Sequence, residues 1–212
     1  MNSQLAGNHY VEISPSRASI VKNYLGSNIN NKKVIEFGAS SGSTLRELKD
    51  MYSCDVKAFD LYPINLDFCE SLFFNLEDDN FASIQDDLNT CDLVLFLDVL
   101  EHVSNPKKVI ESIFDKNSKI KIFMISPNFA SIRMLLGWFK GALPEDKSGF
   151  FDKTHLKWLS VKWIKNYFLD SKYEVKTFYI YSDKLIIRLI QRIFPSRLCS
   201  QFGAVIIHKN NF

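Results

Sequence analysis

Three acidic residues, each at the end of an apolar run, could together hold a positively charged ligand. Glu36, Asp60 and Asp98 close or follow runs that contain valine, isoleucine, leucine and phenylalanine, a composition typical of buried parallel strands. In α/β proteins, ligands bind outside the carboxyl ends of such strands. We therefore expect the three carboxylates at a common site, where they would favour an ammonium or a sulfonium over a phosphate.

The first of these carboxylates stands beside a loop of small residues. Glu36 begins the pattern Glu-x-Gly-x-x-x-Gly, in which Gly38 and Gly42 are able to adopt positive φ and Ser40 stands where a third glycine would be expected. Helix formers follow from Ser43, so the loop is predicted to be a strand-to-helix turn that a ligand can approach closely. Such turns also occur for purely structural reasons, so the loop alone identifies no ligand.

The spacing of the first two carboxylates indicates a nucleoside site. Asp60 lies 24 residues after Glu36, which in a βαβ unit places it at the tip of the second strand, where it can accept hydrogen bonds from the ribose hydroxyls. A dinucleotide would need phosphate-binding glycines in the pattern G-x-G-x-x-G and would tolerate Glu36 poorly. S-adenosylmethionine has an adenosine, an ammonium and a sulfonium but no phosphate. The sequence therefore favours this cofactor over NAD.

Length and composition favour one domain without a dedicated nucleic-acid surface. The 212 residues are 46% hydrophobic, enough for a substantial core, and a formal net charge of +2 predicts no nucleic-acid partner. The first residues lack the features of a signal peptide, and no apolar run reaches the length of a transmembrane helix, about 18 residues, so we expect a cytoplasmic protein. The cysteines form no C-x-x-C pair and no zinc pattern and are expected to be reduced: Cys54, Cys69, Cys91 and Cys199.

Strand and helix patterns alternate along the chain. A first helix is expected at 16–25, within an N-terminal lead-in of residues 1–30, and further helices begin near Ser43, Pro106 and Ser160. The expected strands span residues 33–37, 55–60, 71–76, 92–98, 119–125, 173–181 and 202–208. The alternation predicts a mostly parallel sheet with ligands at the carboxyl ends of its strands.

Four segments, in this order along the chain, resemble the motifs of class I S-adenosylmethionine-dependent methyltransferases. They are Val34-Ile-Glu-Phe-Gly-Ala-Ser-Ser-Gly, Phe59-Asp-Leu-Tyr-Pro, Asp92-Leu-Val-Leu-Phe-Leu-Asp-Val-Leu-Glu-His-Val-Ser-Asn-Pro and Ile125-Ser-Pro-Asn. The resemblance covers most of the chain. It implies a single domain over residues 1–212 with a Rossmann-like α/β fold: a seven-stranded, mostly parallel sheet with helices on both faces and an antiparallel last strand.

The same resemblance implies which residues bind S-adenosylmethionine. The glycine loop would line its methionine part, Glu36 would reach its amino end, and Asp60 would hold the ribose. The full set that the resemblance implies is Glu36, Gly38, Ala39, Ser40, Gly42, Asp60, Leu61, Asn75, Leu76 and Asp98. Ser40 replaces a glycine of the family pattern and Asn75 an aspartate, so a non-catalytic cofactor-binding or scaffold relative is an alternative.

A narrower resemblance concerns the acceptor of the methyl group. The segment Pro127-Asn-Phe-Ala-Ser-Ile-Arg-Met-Leu-Leu-Gly-Trp-Phe-Lys-Gly, followed by Gly149-Phe-Phe-Asp-Lys-Thr-His-Leu, is similar to bacterial methyltransferases found with cell-surface polysaccharide glycosyltransferases. It implies an acceptor-side insertion or lid at 129–156 and O-methylation of a sugar or cell-surface glycan intermediate. A non-sugar small molecule is the alternative acceptor.

Histidines near the predicted site are candidates for a general base. His155 is expected over the cofactor mouth, and His102 follows the fourth strand; imidazole can take the proton of a hydroxyl acceptor near neutral pH. His155, His102 and Asp98 are therefore the predicted catalytic residues, with loop fixation as the alternative role of each histidine. Together with Glu101 they also resemble the metal ligands of some small-RNA and ubiquinone-pathway O-methyltransferases. Because a Glu-His pair also occurs in relatives that use no metal, no metal ligand is predicted.

Two apolar segments carry interspersed basic residues. They are residues 132–140 and residues 183–194, the second of which is expected to form a helix or a hairpin arm. We expect both segments to pack in the core. The alternative is peripheral contact with a membrane interface, where a lipid-linked glycan would be presented.

Overall fold

Apolar runs of the sequence form a seven-stranded sheet in the computed structural model, which describes residues 16–78, 80–141, 151–168 and 172–209. The strands are β1 (Lys33–Phe37), β2 (Asp55–Asp60), β3 (Glu70–Phe73), β4 (Leu93–Leu97), β5 (Lys121–Pro127), β6 (Tyr173–Ile180) and β7 (Gln201–His208). Their order across the sheet is β3-β2-β1-β4-β5-β7-β6. Neighbouring strands pair in parallel except β7, which runs antiparallel to both β5 and β6. The predicted fold class is confirmed.

The helices connect these strands, and some of them begin at a polar side-chain cap. They are α1 (Arg17–Leu25), α2 (Ser43–Tyr52), α3 (Gln85–Thr90), α4 (Pro106–Lys116), α5 (Ile132–Phe139), α6 (Val161–Tyr167), α7 (Leu185–Ile193) and α8 (Pro195–Leu198). The hydroxyls of Ser16 and Ser160 accept hydrogen bonds from the backbone N–H three residues later, at the starts of α1 and α6. Such a cap typically stabilises a helix by about 1 kcal/mol. The expected helix starts are confirmed.

Helices cover both faces of the sheet, and a hydrophobic cluster fills each interface. On one face, the ring of Phe37 stacks on those of Phe59 and Phe96 at centroid distances of 5.3 Å, within the cluster to which α3, α4 and α6 contribute. On the other face, Val34 and Leu95 belong to the cluster that includes residues of α1 and α2. Burial on both faces holds the ends of β1, β2 and β4 in fixed positions.

The strand register brings the three predicted carboxylates to one edge of the sheet. Parallel pairing aligns Phe37 with Phe59 of β2 and with Phe96 of β4. Glu36 precedes this row by one residue, Asp60 follows it directly, and Asp98 lies just beyond the end of β4.

Strand boundaries differ most from those expected in β3 and β5, and β5 also continues to Pro127, beyond the expected end at residue 125. β3 ends at Phe73, before residue 76, because Phe74 turns into the core and packs against Phe37. β5 begins at Lys121, since Asn117 ends α4 and its side chain accepts a hydrogen bond from the Lys119 N–H at 3.0 Å, which forms a turn. Residues 183–194 contain a helix, α7, and no hairpin.

The expectation that residues 132–140 and 183–194 pack in the core is wrong. In α7 the side chain that turns inward is that of Gln191, which is 7% exposed, whereas Ile186 on the opposite side is 73% exposed. In α5 only Met134 and Gly137 are buried, and Phe139 is 80% exposed. In the described part of the chain, no helix combines the length and hydropathy required to cross a bilayer.

Candidate functional site

A cavity of about 600 Å³ opens at the carboxyl edge of the sheet, between the loops that follow β1, β2, β3 and β4. Its volume lies in the range of small-molecule sites. Seven of the ten residues predicted to bind a cofactor line it: Gly38, Ser40, Asp60, Leu61, Asn75, Leu76 and Asp98. Of the other three, Ala39 and Gly42 belong to the same loop, and Glu36 is buried at the end of β1. Their contacts with a cofactor stay a prediction.

The loop after β1 adopts a left-handed backbone at Gly38 and Ser40. Gly38 has a φ of +72°, and a Cβ added there would lie 2.5 Å from Cγ2 of Val99. Ser40 also occupies the left-handed region, with a φ of +49°, at a cost of about 1 kcal/mol. Its backbone N–H donates to Oδ2 of Asp60 at 2.8 Å. Serine therefore adopts the conformation that glycine would favour at this position.

Asp60 joins the two loops that form the wall of the cavity. Besides the bond from Ser40, its Oδ1 accepts a hydrogen bond from the backbone N–H of Tyr62 at 2.9 Å. The side chain is buried at the end of β2 and lines the cavity. Because each carboxylate oxygen has two lone pairs, Asp60 can still accept hydrogen bonds from a ligand.

Glu36 is a buried acid with an unused oxygen. It is 3% exposed, and within the described residues its Oε2 has no hydrogen-bond partner. Burial, reinforced by the nearby charge of Asp60 and opposed by that of Arg17, raises the pKa of Glu36 to about 8. The acid is therefore mostly protonated at neutral pH, and a cationic ligand beside it would favour its charged form.

Asp98 is held by two side chains that sequence analysis did not select. Its Oδ2 accepts a hydrogen bond from Nη2 of Arg17, and its Oδ1 accepts one from Nε2 of Gln201 at 3.0 Å. Partial burial raises the pKa of Asp98, and the Arg17 guanidinium acts in the opposite direction. Asp98 also has a φ of +58°, which turns the chain sharply after β4.

Asn75 and Leu76 close the far side of the cavity. The side-chain oxygen of Asn75 accepts a hydrogen bond from the Glu77 N–H at 3.0 Å, and its amide donates to Asp78 at 2.9 Å. These local bonds fix the turn in which Leu76 begins a short 3₁₀ helix, Leu76–Asp78. The side-chain oxygen keeps a second lone pair for a ligand amine.

A cluster of one carboxylate and two imidazoles lies beside Asp98. Ligand-type atoms of Glu101, His102 and His155 all lie within 4.8 Å of one another, and the two imidazole centroids are 4.7 Å apart. Glu101 is fully buried; its Oε2 accepts from Ser126 Oγ at 3.2 Å, while Oε1 has no partner within the described residues. Burial, with a smaller contribution from Asp98, raises the pKa of Glu101 to about 8.

The loop that carries His155 is tied to the cluster by hydrogen bonds. The carbonyl of Glu101 accepts from the N–H groups of Leu156 and Lys157 at 2.8 and 2.9 Å. Nδ1 of His102 lies 2.9 Å from the hydroxyl of Thr154, which donates to Asp152. His102 thus helps to position this loop, as the alternative interpretation of this residue proposed.

A second cavity of about 430 Å³ adjoins the first. Both are lined by Asp98 and His102. His155 lines the second cavity, with Glu101, Pro127, Arg133, Asp152, Ser200 and Gln201. His155 therefore lies in the cavity next to the predicted cofactor cavity and does not line the cofactor cavity itself. The sequence predicted it over the mouth of the cofactor site.

The two buried glutamates predict an unusual pH dependence of stability. Because folding raises their pKa values from about 4.5 to about 8, the stability that their protons contribute is full below pH 4.5 and is lost as the pH rises through 8. At pH 8, Glu36→Gln should raise the melting temperature of the cofactor-free protein by several degrees, which corresponds to a gain of about 1 to 2 kcal/mol in the free energy of unfolding. At pH 5 it should change the melting temperature little. Thermal unfolding followed by circular dichroism checks this.

Glu111→Gln, on α4, replaces a partly exposed carboxylate that lies 3.7 Å from Nζ of Lys107, and it serves as the control that should leave the pH profile of the melting temperature unchanged. If Glu36→Gln and the unchanged protein gave the same profile from pH 5 to pH 8, Glu36 would not be protonated in the folded state.

The sequence decides the family. Residues 9–162 match the methyltransferase domain family, so the match spans more than half of the chain. The chain belongs to this family. No curated protein sequence shows significant similarity to the chain.

Solved structures share the fold of this methyltransferase domain at low sequence identity. A SAM-dependent methyltransferase from Archaeoglobus fulgidus has a TM-score of 0.59 at 17% identity, with 95% of this chain and 99% of that chain covered. The plantazolicin methyltransferase BpumL, in complex with SAH, has a TM-score of 0.59 at 15% identity, with 97% of this chain and 88% of that chain covered. The methyltransferase domain of bacterial CtHen1 has a TM-score of 0.58 at 16% identity, with 90% of this chain and 96% of that chain covered. The predicted enzyme class, a methyltransferase, is thus confirmed at the level of the family.

Two residues that the sequence pattern did not indicate meet at the candidate site of this methyltransferase domain. Arg17 and Gln201 are 184 positions apart and meet at Asp98. Arg17 is the first residue of α1 and Gln201 the first of β7, so neither type nor spacing distinguishes them from surface residues. Only the antiparallel pairing of β7 with β5, which aligns Gln201 with Pro127, brings Gln201 to this edge.

Proposed function

We propose that this protein transfers the methyl group of S-adenosylmethionine to a hydroxyl of a sugar or cell-surface glycan intermediate. The observation that carries the proposal is the pair of adjoining cavities: one is lined by the predicted cofactor residues, the other by polar side chains, and both by Asp98 and His102. Two substrates that react with each other need two such adjacent sites.

The residues of the first cavity fit S-adenosylmethionine. Glu36 lies buried beside this cavity, and its unpartnered Oε2 suits the cationic end of the cofactor. Gly38 lines the cavity and has no side chain to obstruct a ligand that approaches its backbone. Asp60 would hold the ribose, and Leu61 and Leu76 would contact the adenine. The bound cofactor supplies an electrophilic methyl group on a sulfonium.

Arg17 extends this assignment to the remaining charge of the cofactor. The methionine part of S-adenosylmethionine carries a carboxylate as well as an ammonium. Arg17 pairs with Asp98, and its charge opposes the rise in the pKa of Glu36 that burial causes. A guanidinium and two acids therefore lie close together. Asp98 and Glu36 would bind the ammonium, and Arg17 would bind the carboxylate.

The second cavity suits an acceptor rich in hydroxyl groups. Pro127 is the sole apolar residue among the described residues that line it; the others are charged, imidazole or neutral polar side chains. Carboxylates such as Asp152 and the guanidinium of Arg133 can accept from and donate to sugar hydroxyls. An apolar small molecule would displace water from these groups without replacing its hydrogen bonds.

His155 and His102 provide the base that this reaction needs. A hydroxyl acceptor that receives the methyl group would have to give up its proton. The hydroxyl proton moves to an imidazole nitrogen in the second cavity. His155, which lines that cavity beside His102, is proposed to be the acceptor of this proton.

Calorimetric titration with S-adenosylmethionine, followed by transfer of labelled methyl groups, tests the proposal. We expect binding, and label incorporated into nucleotide-linked sugars or cell-surface polysaccharide in preference to a panel of phenolic small molecules. Absence of binding at millimolar cofactor would rule out the enzyme. Binding without transfer to any acceptor would favour a non-catalytic relative, and transfer to phenols alone would favour the non-sugar acceptor.

Metal-assisted transfer to a non-sugar acceptor is a second candidate. The observation that favours it is the cluster of Glu101, His102 and His155, whose oxygen and nitrogen donors suit divalent transition metals and Mg²⁺. If it applies, EDTA should abolish transfer and added Mn²⁺ or Mg²⁺ should restore it. Transfer that is indifferent to EDTA would exclude this candidate.

A further inference from the structure

Helix α7 presents its apolar side to solvent. Leu185, Leu189 and Ile193 recur at every fourth residue, and Ile186 and Ile190 form the neighbouring row. Each of these side chains is at least 50% exposed. An apolar stripe with this spacing normally faces the core of a protein. In α7 the usual orientation is reversed.

Hydrogen bonds on the polar side of α7 fix this orientation. Oε1 of Gln191 accepts from the backbone N–H of Ser182 at 2.7 Å, and its amide donates to the carbonyl of Leu198 at 3.1 Å. Turning the apolar stripe inward would break both bonds and expose a buried amide. The outward stripe is therefore built into the fold.

A second exposed apolar element lies next to α7 and α8. Arg197 of α8 donates to the carbonyl of Ala130, just before α5, at 3.3 Å. Exposed side chains on α5 and on the nearby loop are Ile132, Leu135, Leu136, Trp138, Phe139 and Trp158. The Trp138 and Trp158 rings lie 5.8 Å apart. We call these side chains, together with the exposed side of α7, the apolar surface.

The charges on these elements have one sign. Residues 184–198, which follow Asp183, contain four basic and no acidic side chains, and residues 128–141 contain two basic and no acidic ones. The whole chain, by contrast, has 26 basic and 24 acidic residues. Branched apolar residues and tryptophan flanked by arginine and lysine are the combination that binds the headgroup region of anionic bilayers.

We propose that the apolar surface docks on bilayers that contain anionic lipids. A second copy of the chain fits less well, because in a two-fold symmetric dimer the same patch meets itself, and its basic side chains would face one another. Anionic headgroups would neutralise these side chains, at the depth where Trp138 and Trp158 are stable.

The apolar surface lies at the edge of the sheet that carries the two cavities. α7 follows β6, whose last residue, Ile180, pairs with Gln201. Gln191 of α7 and Gln201 line a common cavity, and Gln201 also lines the proposed acceptor cavity. A lipid-linked glycan would then meet the acceptor cavity at the bilayer surface, an extension that rests on the proposed function. The docking itself does not depend on methyl transfer.

Co-sedimentation of the full chain with vesicles tests the proposal. We expect the partition coefficient for phosphatidylcholine vesicles with one quarter phosphatidylglycerol to be about tenfold higher than that for pure phosphatidylcholine vesicles. Binding to the anionic vesicles should fall as the salt concentration rises. Ile186→Asp should reduce binding by at least about tenfold. Absence of binding to the anionic vesicles at 0.1 M salt would overturn the proposal, as would equal binding of Ile186→Asp.

Matched controls separate docking from folding, self-association and cofactor binding. Met51→Asp, at an exposed apolar position on α2, should leave vesicle binding unchanged. Ile186→Asp should keep its melting temperature and its affinity for S-adenosylmethionine, since Ile186 lines neither site cavity. Sedimentation equilibrium without lipid should show no dimer. A dimer that Ile186→Asp dissociates, in a protein that does not bind vesicles, would assign the apolar surface to a second copy.

Discussion

Asp60→Ala is expected to weaken the binding of S-adenosylmethionine by about 100-fold. The variant removes the predicted hydrogen bonds from the ribose and also releases the loops that Asp60 joins through the N–H groups of Ser40 and Tyr62. Two charge-assisted hydrogen bonds at about 1.5 kcal/mol each give a loss of about 3 kcal/mol, and each 1.4 kcal/mol is a factor of ten in affinity. Isothermal titration calorimetry measures the change.

A conservative variant and a control variant accompany this measurement. Asp60→Asn keeps one acceptor oxygen and should weaken binding by about tenfold. Asp50→Ala, at an exposed position on the neighbouring helix α2, should bind the cofactor as the unchanged protein does. Unaltered affinity of Asp60→Ala, in a variant whose melting temperature is also unaltered, would refute the ribose assignment.

The fold was predictable because local and global signals agree. The runs 33–37 and 55–60 are framed by turn residues, and the structure ends β1 and β2 at the expected residues. Parallel strands buried on both faces need continuous apolar runs. The same rule does not locate the end of β3, since Phe74 is as apolar as the strand and leaves it only to reach the aromatic cluster around Phe37.

The cofactor side of the site was more predictable than the acceptor side. Cofactor residues come from consecutive strand-to-helix loops, so their spacing in sequence reflects their positions in space. Residues of the proposed acceptor cavity, such as Arg133, Asp152 and Ser200, come from distant loops, and no periodic pattern connects them. Hydropathy also gave a wrong prediction for α7. Its apolar composition suggested burial, but composition does not reveal which side of a helix faces the protein.

Ser40 illustrates how the structure answers a question that the sequence raised. A glycine was expected there because the loop needs positive φ, and Ser40 adopts a φ of +49°. The backbone N–H that donates to Asp60 is the same for either residue. The departure from the family pattern therefore changes the energy of the loop by about 1 kcal/mol but not its path.

His155→Ala is expected to lower the rate of methyl transfer by 10²-fold or more, with the affinity for S-adenosylmethionine unchanged. General-base catalysis typically contributes a factor of about 10² to 10⁴, and His155 lines the acceptor cavity, not the cofactor cavity. Single-turnover transfer of labelled methyl groups to the preferred glycan acceptor measures the rate, and calorimetry measures the affinity.

Added imidazole distinguishes a base from a residue that only positions the loop. If His155 takes the proton, imidazole should restore part of the rate of His155→Ala, because the variant leaves a space beside His102 that a free base can enter. His102→Ala should respond less, since His102 also holds Thr154 through Nδ1 and its loss displaces the loop. His208→Ala, on β7 beside Tyr173 and away from both cavities, should transfer at the normal rate. A His155→Ala variant as active as the unchanged protein would leave proton transfer to His102 or to solvent.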